Sequence, residues 1–217
     1  MSEKELSSYG FVENEMFELN QYQRFQKVEE NDVVLDLGCS KGFFYFLNRH
    51  LNINYIGLDA SIDCVKDFYD YLQEDDDPFI INSFLSDKFH VEKFQSIFHD
   101  LPAKDVNSLT FKSLVKIINK KINFLKFDIE GYERLFLKDE YDLFKRSVDK
   151  FAGEVHFTET SALGRADGYE VLNKMKEDDD IDFKLYSVDM VDITDYFWSH
   201  KDFYTEIIIN GLINSKI

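Results

Sequence analysis

Five acidic residues and one histidine stand at or beside the ends of four short apolar runs. Asp36 lies in Val33-Val34-Leu35-Asp36-Leu37, directly ahead of Gly38-Cys39-Ser40-Lys41-Gly42. Asp59 closes Tyr55-Ile56-Gly57-Leu58-Asp59. Asp128 closes Ile122-Asn123-Phe124-Leu125-Lys126-Phe127-Asp128, with Glu130 two residues on. Glu154 and His156 alternate along Phe151-Ala152-Gly153-Glu154-Val155-His156-Phe157. Residues two apart in a strand share a face, so Glu154 and His156 can converge on one spot. Three chemistries are open to such a set. An imidazole can take a proton near neutral pH, so His156 is expected as a general base, oriented or supplemented by Glu154 and Asp128, with Glu130 a further catalytic candidate in the same cluster. Hard oxygens with one imidazole also suit a divalent metal held by Asp128, Glu154 and His156. The third is structural: Glu130 caps the helix that follows, and Glu133 supports the turn.

The elements that carry these residues follow a strand–helix alternation. The β-branched run ending at Gly38 reads as a buried strand, and Phe43-Phe44-Tyr45-Phe46-Leu47 begins a helix behind the glycines. After the strand at 55–59, Ser61 stands as an N-cap for a helix with Val65, Phe68, Tyr69 and Leu72 on one face. A third strand covers 79–84. The stretch 85–106 is the least regular part, with an apolar patch around Phe94, Ile97 and Phe98. Leu109 to Ile118 reads as an amphipathic helix ahead of the strand at 122–128, which breaks at Ile129-Glu130-Gly131 into a helix carrying Leu135, Phe136, Leu143 and Phe144. After the strand at 151–157, a helix around 167–177 precedes two closing strands, 183–188 and 204–209. Alternation of this kind implies a parallel sheet covered on both faces, and two final strands imply an antiparallel hairpin at one edge. Residues 1–30 are polar with spaced apolar positions at Phe11, Met16, Phe17, Leu19, Tyr22 and Phe25. They are expected as an N-terminal helical cover on a domain spanning 31–217.

The chain has 217 residues, of which 42 are acidic and 25 basic, for a net charge of −17. Such a charge repels a nucleic-acid backbone or an anionic membrane surface, so neither is expected as a partner. No apolar run approaches the ~18 residues of a membrane span, and no apolar region follows Met1-Ser2-Glu3-Lys4-Glu5. The two cysteines, Cys39 and Cys64, lack metal-type spacing and fit a reducing cytoplasm. The 22 Phe and 12 Tyr imply a Phe-rich core, with rings such as Trp198 left to stack on a ligand.

In an open sheet of this type the ligand lies beyond the carboxyl ends of the strands. A dinucleotide fold needs Gly-x-Gly-x-x-Gly for its pyrophosphate. This chain has Gly38-x-x-x-Gly42 with an acid two residues ahead, which suits a cation such as the amino group of S-adenosylmethionine. The expected cofactor contacts are Asp36, Gly38, Cys39, Ser40 and Gly42 at the turn, with Asp59 on the ribose diol. Ala60, Ser83 and Asp128 stand at the neighbouring strand ends.

Phe124-Leu125-Lys126-Phe127-Asp128-Ile129-Glu130-Gly131-Tyr132-Glu133 makes this more specific. With Asp36-Leu37-Gly38-Cys39-Ser40-Lys41-Gly42 it resembles the FkbM-type family of S-adenosylmethionine-dependent methyltransferases, whose pattern here is Leu-Lys-x-Asp-x-Glu-Gly-x-Glu. Leu85-Ser86-Asp87-Lys88, Ser108-Leu109-Thr110-Phe111-Lys112-Ser113-Leu114 and Glu154-Val155-His156 also resemble the family, so the likeness runs from about 33 to 157. Leu58-Asp59-Ala60 departs from the usual aromatic-Glu-Pro, though aspartate preserves the ribose-binding chemistry.

The resemblance implies an α/β, Rossmann-like class I methyltransferase sandwich, a mostly parallel seven-stranded sheet with an antiparallel C-terminal hairpin. It further implies O-methylation of a sugar or glycan hydroxyl, with S-adenosylhomocysteine as product; the divalent metal stays the alternative that the residues themselves leave open. Glycosyltransferase domains, fused or associated, are conceivable partners. A hydroxyl of another small natural product is the near alternative. A nicotinamide-dependent oxidoreductase and a non-catalytic cofactor-binding module are the distant ones.

Overall fold

Val33–Leu37 (β1) is buried along its whole length and sits mid-sheet, as its unbroken apolar run requires. The computed structural model describes residues 16, 18–94, 103–157, 165–201 and 204–214. Behind β1 come Phe43–Asn48 (α1), Asn54–Asp59 (β2), Ile62–Tyr71 (α2) and Phe79–Asn82 (β3). Phe84–Leu85 (β4), Val91–Phe94 (β5) and Lys104–Leu109 (β6) follow, then Phe111–Ile118 (α3) and Ile122–Phe127 (β7). The chain closes with Arg134–Leu137 (α4), Tyr141–Ser147 (α5), Val148–His156 (β8), Arg165–Lys176 (α6), Ile181–Tyr186 (β9), Thr194–His200 (α7) and Glu206–Ile213 (β10).

The main sheet has seven strands in the order β3-β2-β1-β7-β8-β10-β9. The first five run parallel, and β10 lies antiparallel to both β8 and β9. The expected antiparallel C-terminal pair is present, with the last strand inserted inside β9 and α7 between the two. The chain leaves β1 toward β2 and β3, then returns on the other side as β7. The carboxyl ends of β1 and β7 therefore flank the switch point where such sheets bind ligands.

Period-two alternation sends Leu35, Leu37, Leu125 and Phe127 into one core, with Phe136, Phe144, Phe151 and Phe197. Val34 and Phe124 face the other core, with Tyr22, Phe44, Tyr55 and Phe68. Each fully buried ring contributes about 1.5–3 kcal/mol of apolar transfer. Asp36 and Lys126 share the parity of Val34 and Phe124, which is why both are buried.

Three local expectations change. The irregular stretch 85–106 contains most of a small second sheet, ordered β4-β6-β5; its Val91 and neighbours are largely exposed, so no apolar alternation marks it. Leu109 ends β6 instead of joining the helix, because Thr110 caps α3 by accepting from the Ser113 amide at 3.1 Å. β8 begins at Val148 directly from α5, disguised by Asp149 and Lys150; the Lys150 ammonium is neutralised by Asp32 at 3.0 Å. Ser61 caps α2 as expected. Of the expected N-terminal cover, residues 1–15 and 17 lie outside the described residues, as do Ile97 and Phe98. Gln21–Gln23 form one buried 3-10 turn.

Candidate active site

The turn after β1 is held by its own backbone. Gly38, Ser40 and Gly42 all have positive φ, at 76°, 47° and 84°. The amides of Gly38 and Cys39 donate to the Leu58 carbonyl, Gly42 donates to Cys39, and Ser40 donates to Asp59 Oδ2 at 2.8 Å. These four amides are thus engaged within the protein, and the glycines contribute space. A Cβ on Gly38 would lie 1.9 Å from the Asp128 carbonyl oxygen, so glycine is what lets the β1 turn close against the end of β7.

Asp36 does not face the crevice. It is fully buried, with Lys126 Nζ 3.1 Å from Oδ1 and the Tyr55 hydroxyl donating to Oδ2. Lys126 also donates to the Gly38 carbonyl at 2.7 Å. In this arrangement the acid expected to meet a cofactor ammonium instead anchors the floor of the turn. Burial alone would lower the Lys126 pKa, but the charges of Asp36 and Asp128 raise it, so the ammonium keeps its proton.

Asp59 closes β2 and accepts from Ser40 N through one oxygen and Ser61 N through the other, at 2.8 and 2.7 Å. Each carboxylate oxygen keeps a lone pair for a ribose hydroxyl. Ala60 follows, half-buried, in the same turn. Ser83 is turned away, its hydroxyl donating to the Asn107 carbonyl at 2.7 Å and tying β3 to β6. Cys39 is buried against Gly57, and burial pushes its thiol well above the ordinary range.

The ends of β7 and β8 bring the other predicted residues together. Asp128 follows β7, its amide donating to the Leu37 carbonyl at 2.9 Å. The chain then turns sharply at Glu130, φ 54°, and Gly131, φ 97°. Glu133, fully buried, accepts the amides of Ile129 and Gly131 through Oε1 and supports the turn as expected. The same oxygen lies 3.2 Å from His156 Nδ1. The other ring nitrogen, Nε2, is 3.4 Å from Glu154 and 3.8 Å from Glu130. Glu130 is exposed and makes no side-chain cap on α4. Register places Glu206 of β10 directly opposite His156, adding another acid.

This crowding sets the proton positions. Burial alone would lower the His156 pKa, but hydrogen bonds to Glu133 and Glu154 and the charges of Glu133 and Asp128 push it up to about 11. Burial and the charge of Glu154 push Asp128 up to about 8. Glu154 is held below its ordinary value: burial opposes ionisation, but His156 and the Tyr22 hydroxyl stabilise the charge. A ring that keeps its proton to about 11 is a weak proton acceptor near neutral pH.

Two groups among the described residues could hold a metal ion: Asp128, Glu130 and His156, or Glu154, His156 and Glu206, each with ligand atoms within 4.8 Å of one another. The expected trio of Asp128, Glu154 and His156 is therefore divided, with the ring common to both.

A family model described as the methyltransferase FkbM domain matches residues 14–197. The chain belongs to the FkbM methyltransferase family. It is an S-adenosylmethionine-dependent methyltransferase. Solved structures of the same fold include a putative rRNA methylase from Clostridium thermocellum, 13% identical, TM-score 0.53, covering 88% of this chain and 90% of that one. Another is the plantazolicin methyltransferase BpumL in complex with SAH, 11% identical, TM-score 0.52, covering 98% and 86%. A third is Aeropyrum pernix fibrillarin with natively bound S-adenosyl-L-methionine, 11% identical, TM-score 0.50, covering 90% and 72%. At these identities the likeness carries the fold alone. No curated protein matches the chain.

The residues of this FkbM methyltransferase fit a cofactor that is cationic and carries a ribose. Asp59 has hydrogen-bonding capacity left at the end of β2. The nearby ammonium groups are paired within the protein, Lys126 with Asp36 at 3.1 Å and Lys41 with Asp67 at 2.7 Å. Four site residues escape the sequence reading: Gln21, Tyr22, Lys126 and Glu206. Lys126 stood inside the family pattern, and the parity of its strand could have flagged it. Tyr22 carried no such signal, being 106 residues from Asp128, whose Oδ2 its hydroxyl meets at 3.4 Å. Trp198 lies on α7 beside β9, its ring under the Lys176 ammonium at 4.3 Å.

Proposed function

We propose that this FkbM methyltransferase methylates a hydroxyl of a neutral sugar or glycan. The observation that carries this reading is Asp128, a carboxylate raised toward neutrality at the switch point of the sheet. A general base works best with a pKa near the operating pH. A sugar hydroxyl is a poor nucleophile, and an acceptor oxygen beside Asp128 would pass its proton to that carboxylate as its bond to carbon forms. When bound, S-adenosylmethionine supplies an electrophilic methyl on a positively charged sulfur. Glu154 remains ionised and His156 remains an imidazolium, so each fixes the other and Asp128 is left to exchange the proton. Asp59 is the ribose contact in this reading, with Ala60 beside it, and the Gly38–Gly42 turn makes room for the amino-acid portion.

The carbohydrate class rests on the family resemblance and on charge. Asp128, Glu130, Glu154 and Glu206 around one imidazolium repel a phosphate-bearing acceptor, as does the net charge of −17. A nucleic-acid acceptor is disfavoured on the same ground. Both cysteines are free thiols, which suits a reducing compartment such as the cytoplasm. No helix among the described residues is long and apolar enough to cross a membrane. The deciding experiment follows label from methyl-labelled cofactor into a panel of neutral sugars, nucleotide sugars, other hydroxylated natural products and RNA. Label in neutral sugars is expected, and label in RNA alone would end the proposal.

The two metal-competent groups favour a second reading, a metal-polarised hydroxyl. With Asp128 as base, exhaustive chelation should leave the transfer rate within about twofold. Loss of activity restored by magnesium or manganese would assign the cluster to an ion instead.

A further inference from the structure

The segment from Gln21 to Val28 is pinned by buried polar groups from the rest of the fold. Fully buried Asn210 of β10 accepts from the Arg24 amide at 3.1 Å and donates to the Gln21 carbonyl at 3.2 Å. Buried Gln23 donates to Asn48 of α1 at 3.1 Å and accepts from the Val28 amide at 3.0 Å. Lys150 of β8 donates to the Lys27 carbonyl at 3.0 Å. Burying polar groups is costly unless each is matched, so this anchoring fixes one placement of the turn.

That placement delivers two side chains to the acid cluster. Gln21 Nε2 donates to Glu154 Oε1 at 2.5 Å, and the Tyr22 hydroxyl donates to the same oxygen at 3.0 Å. The hydroxyl is also 3.4 Å from Asp128 Oδ2. The Tyr22 ring meets Phe44 edge-on at 6.2 Å and has Lys126 Nζ 5.3 Å from its centroid. The phenol therefore touches both carboxylates while its ring stands on α1, the helix behind the glycine turn.

We propose that Tyr22, aided by Gln21, is a positioning residue of the methyl-transfer site: its hydroxyl bridges Glu154 and Asp128 and fixes the carboxylate pair that faces the cationic end of the donor. The inference rests on the reading of Asp128 as the transfer site. A purely structural Tyr22 would need only its ring, and Tyr22→Phe keeps the ring while removing the bridge.

The test uses the full chain and two cofactor analogues. S-adenosylhomocysteine is a neutral thioether. Sinefungin carries an amine where the donor has its methylsulfonium. Calorimetry on the wild type is expected to show sinefungin bound at least about fivefold more tightly, since a charge-assisted hydrogen bond is stronger than a neutral one. In Tyr22→Phe that preference should fall about threefold or more, with S-adenosylhomocysteine affinity within about twofold and the melting temperature nearly unchanged. An unchanged preference, or parallel losses for both ligands together with melting temperature, would reduce Tyr22 to a core ring and overturn the inference. If Glu154→Gln abolishes the preference while Tyr22→Phe does not, the transfer site stands and only the role of Tyr22 falls. If the wild type shows no preference, the carboxylates do not face the donor's cation, and both readings fail.

Discussion

Asp128→Asn should lower methyl transfer by about 10²–10⁴-fold, the usual worth of a positioned general base, and should make the protein more stable in alkaline solution. Asparagine keeps the size and hydrogen-bonding outline of the side chain but cannot take the proton. In the wild type the rate should rise with pH and level off once Asp128 is ionised, above about 8. The stability effect has the opposite sign to that of a salt-bridged acid. Burial and Glu154 raise the folded pKa of Asp128 from the unfolded 3.8. Stability is therefore complete below the unfolded value, declines as pH rises, and is lost once pH passes the folded value. Asparagine carries no such charge, so its advantage should grow from mildly acidic pH and be full near pH 9. A gain of about 1 kcal/mol would appear as roughly 2–4 °C in melting temperature. Scanning calorimetry at pH 6 and 9, beside initial rates, checks both halves. Wild-type rates in the variant would remove Asp128 from the chemistry.

Gly38→Ala is expected to abolish measurable S-adenosylhomocysteine binding and to destabilise the fold by several kcal/mol. The residue has φ 76°, a region that costs a side-chain-bearing residue about 1–2 kcal/mol. More severely, the new Cβ would lie 1.9 Å from the Asp128 carbonyl, a backbone atom that can yield only if the end of β7 moves. Such a shift would open the β1–β7 switch point and carry Asp128 with it. Calorimetric titration with S-adenosylhomocysteine and thermal melts measure the two losses. A variant that binds and melts like the wild type would show that the turn and the β7 end move independently.

The two predictions meet at one contact, the close approach of Gly38 to Asp128, and the sequence held only half of it. A glycine after an apolar strand could be read as a turn, and Asp128 as the end of another strand. Their proximity depends on β7 pairing with β1 across a sequence separation of 88, as the Lys126 bond to the Gly38 carbonyl shows. The same limit explains Asp36. Its spacing from Gly38 and Gly42 pointed toward a cationic ligand, but the parity of β1 turned it into the core, where Lys126 and Tyr55 surround it.

By itself the sequence determined the strand–helix alternation, the glycine turn and the family, because these rest on local periodicity and on short patterns within continuous stretches. It also brought Glu154 and His156 to one face, since two residues apart in a strand is a local rule. Only the tertiary structure decided which acid is raised toward neutrality, because a pKa depends on burial and on charges from other elements. Glu133 beyond β7, Glu206 on β10 and Tyr22 from the N-terminal turn reach the same few ångströms from distant positions, and their order along the chain contains no trace of that meeting.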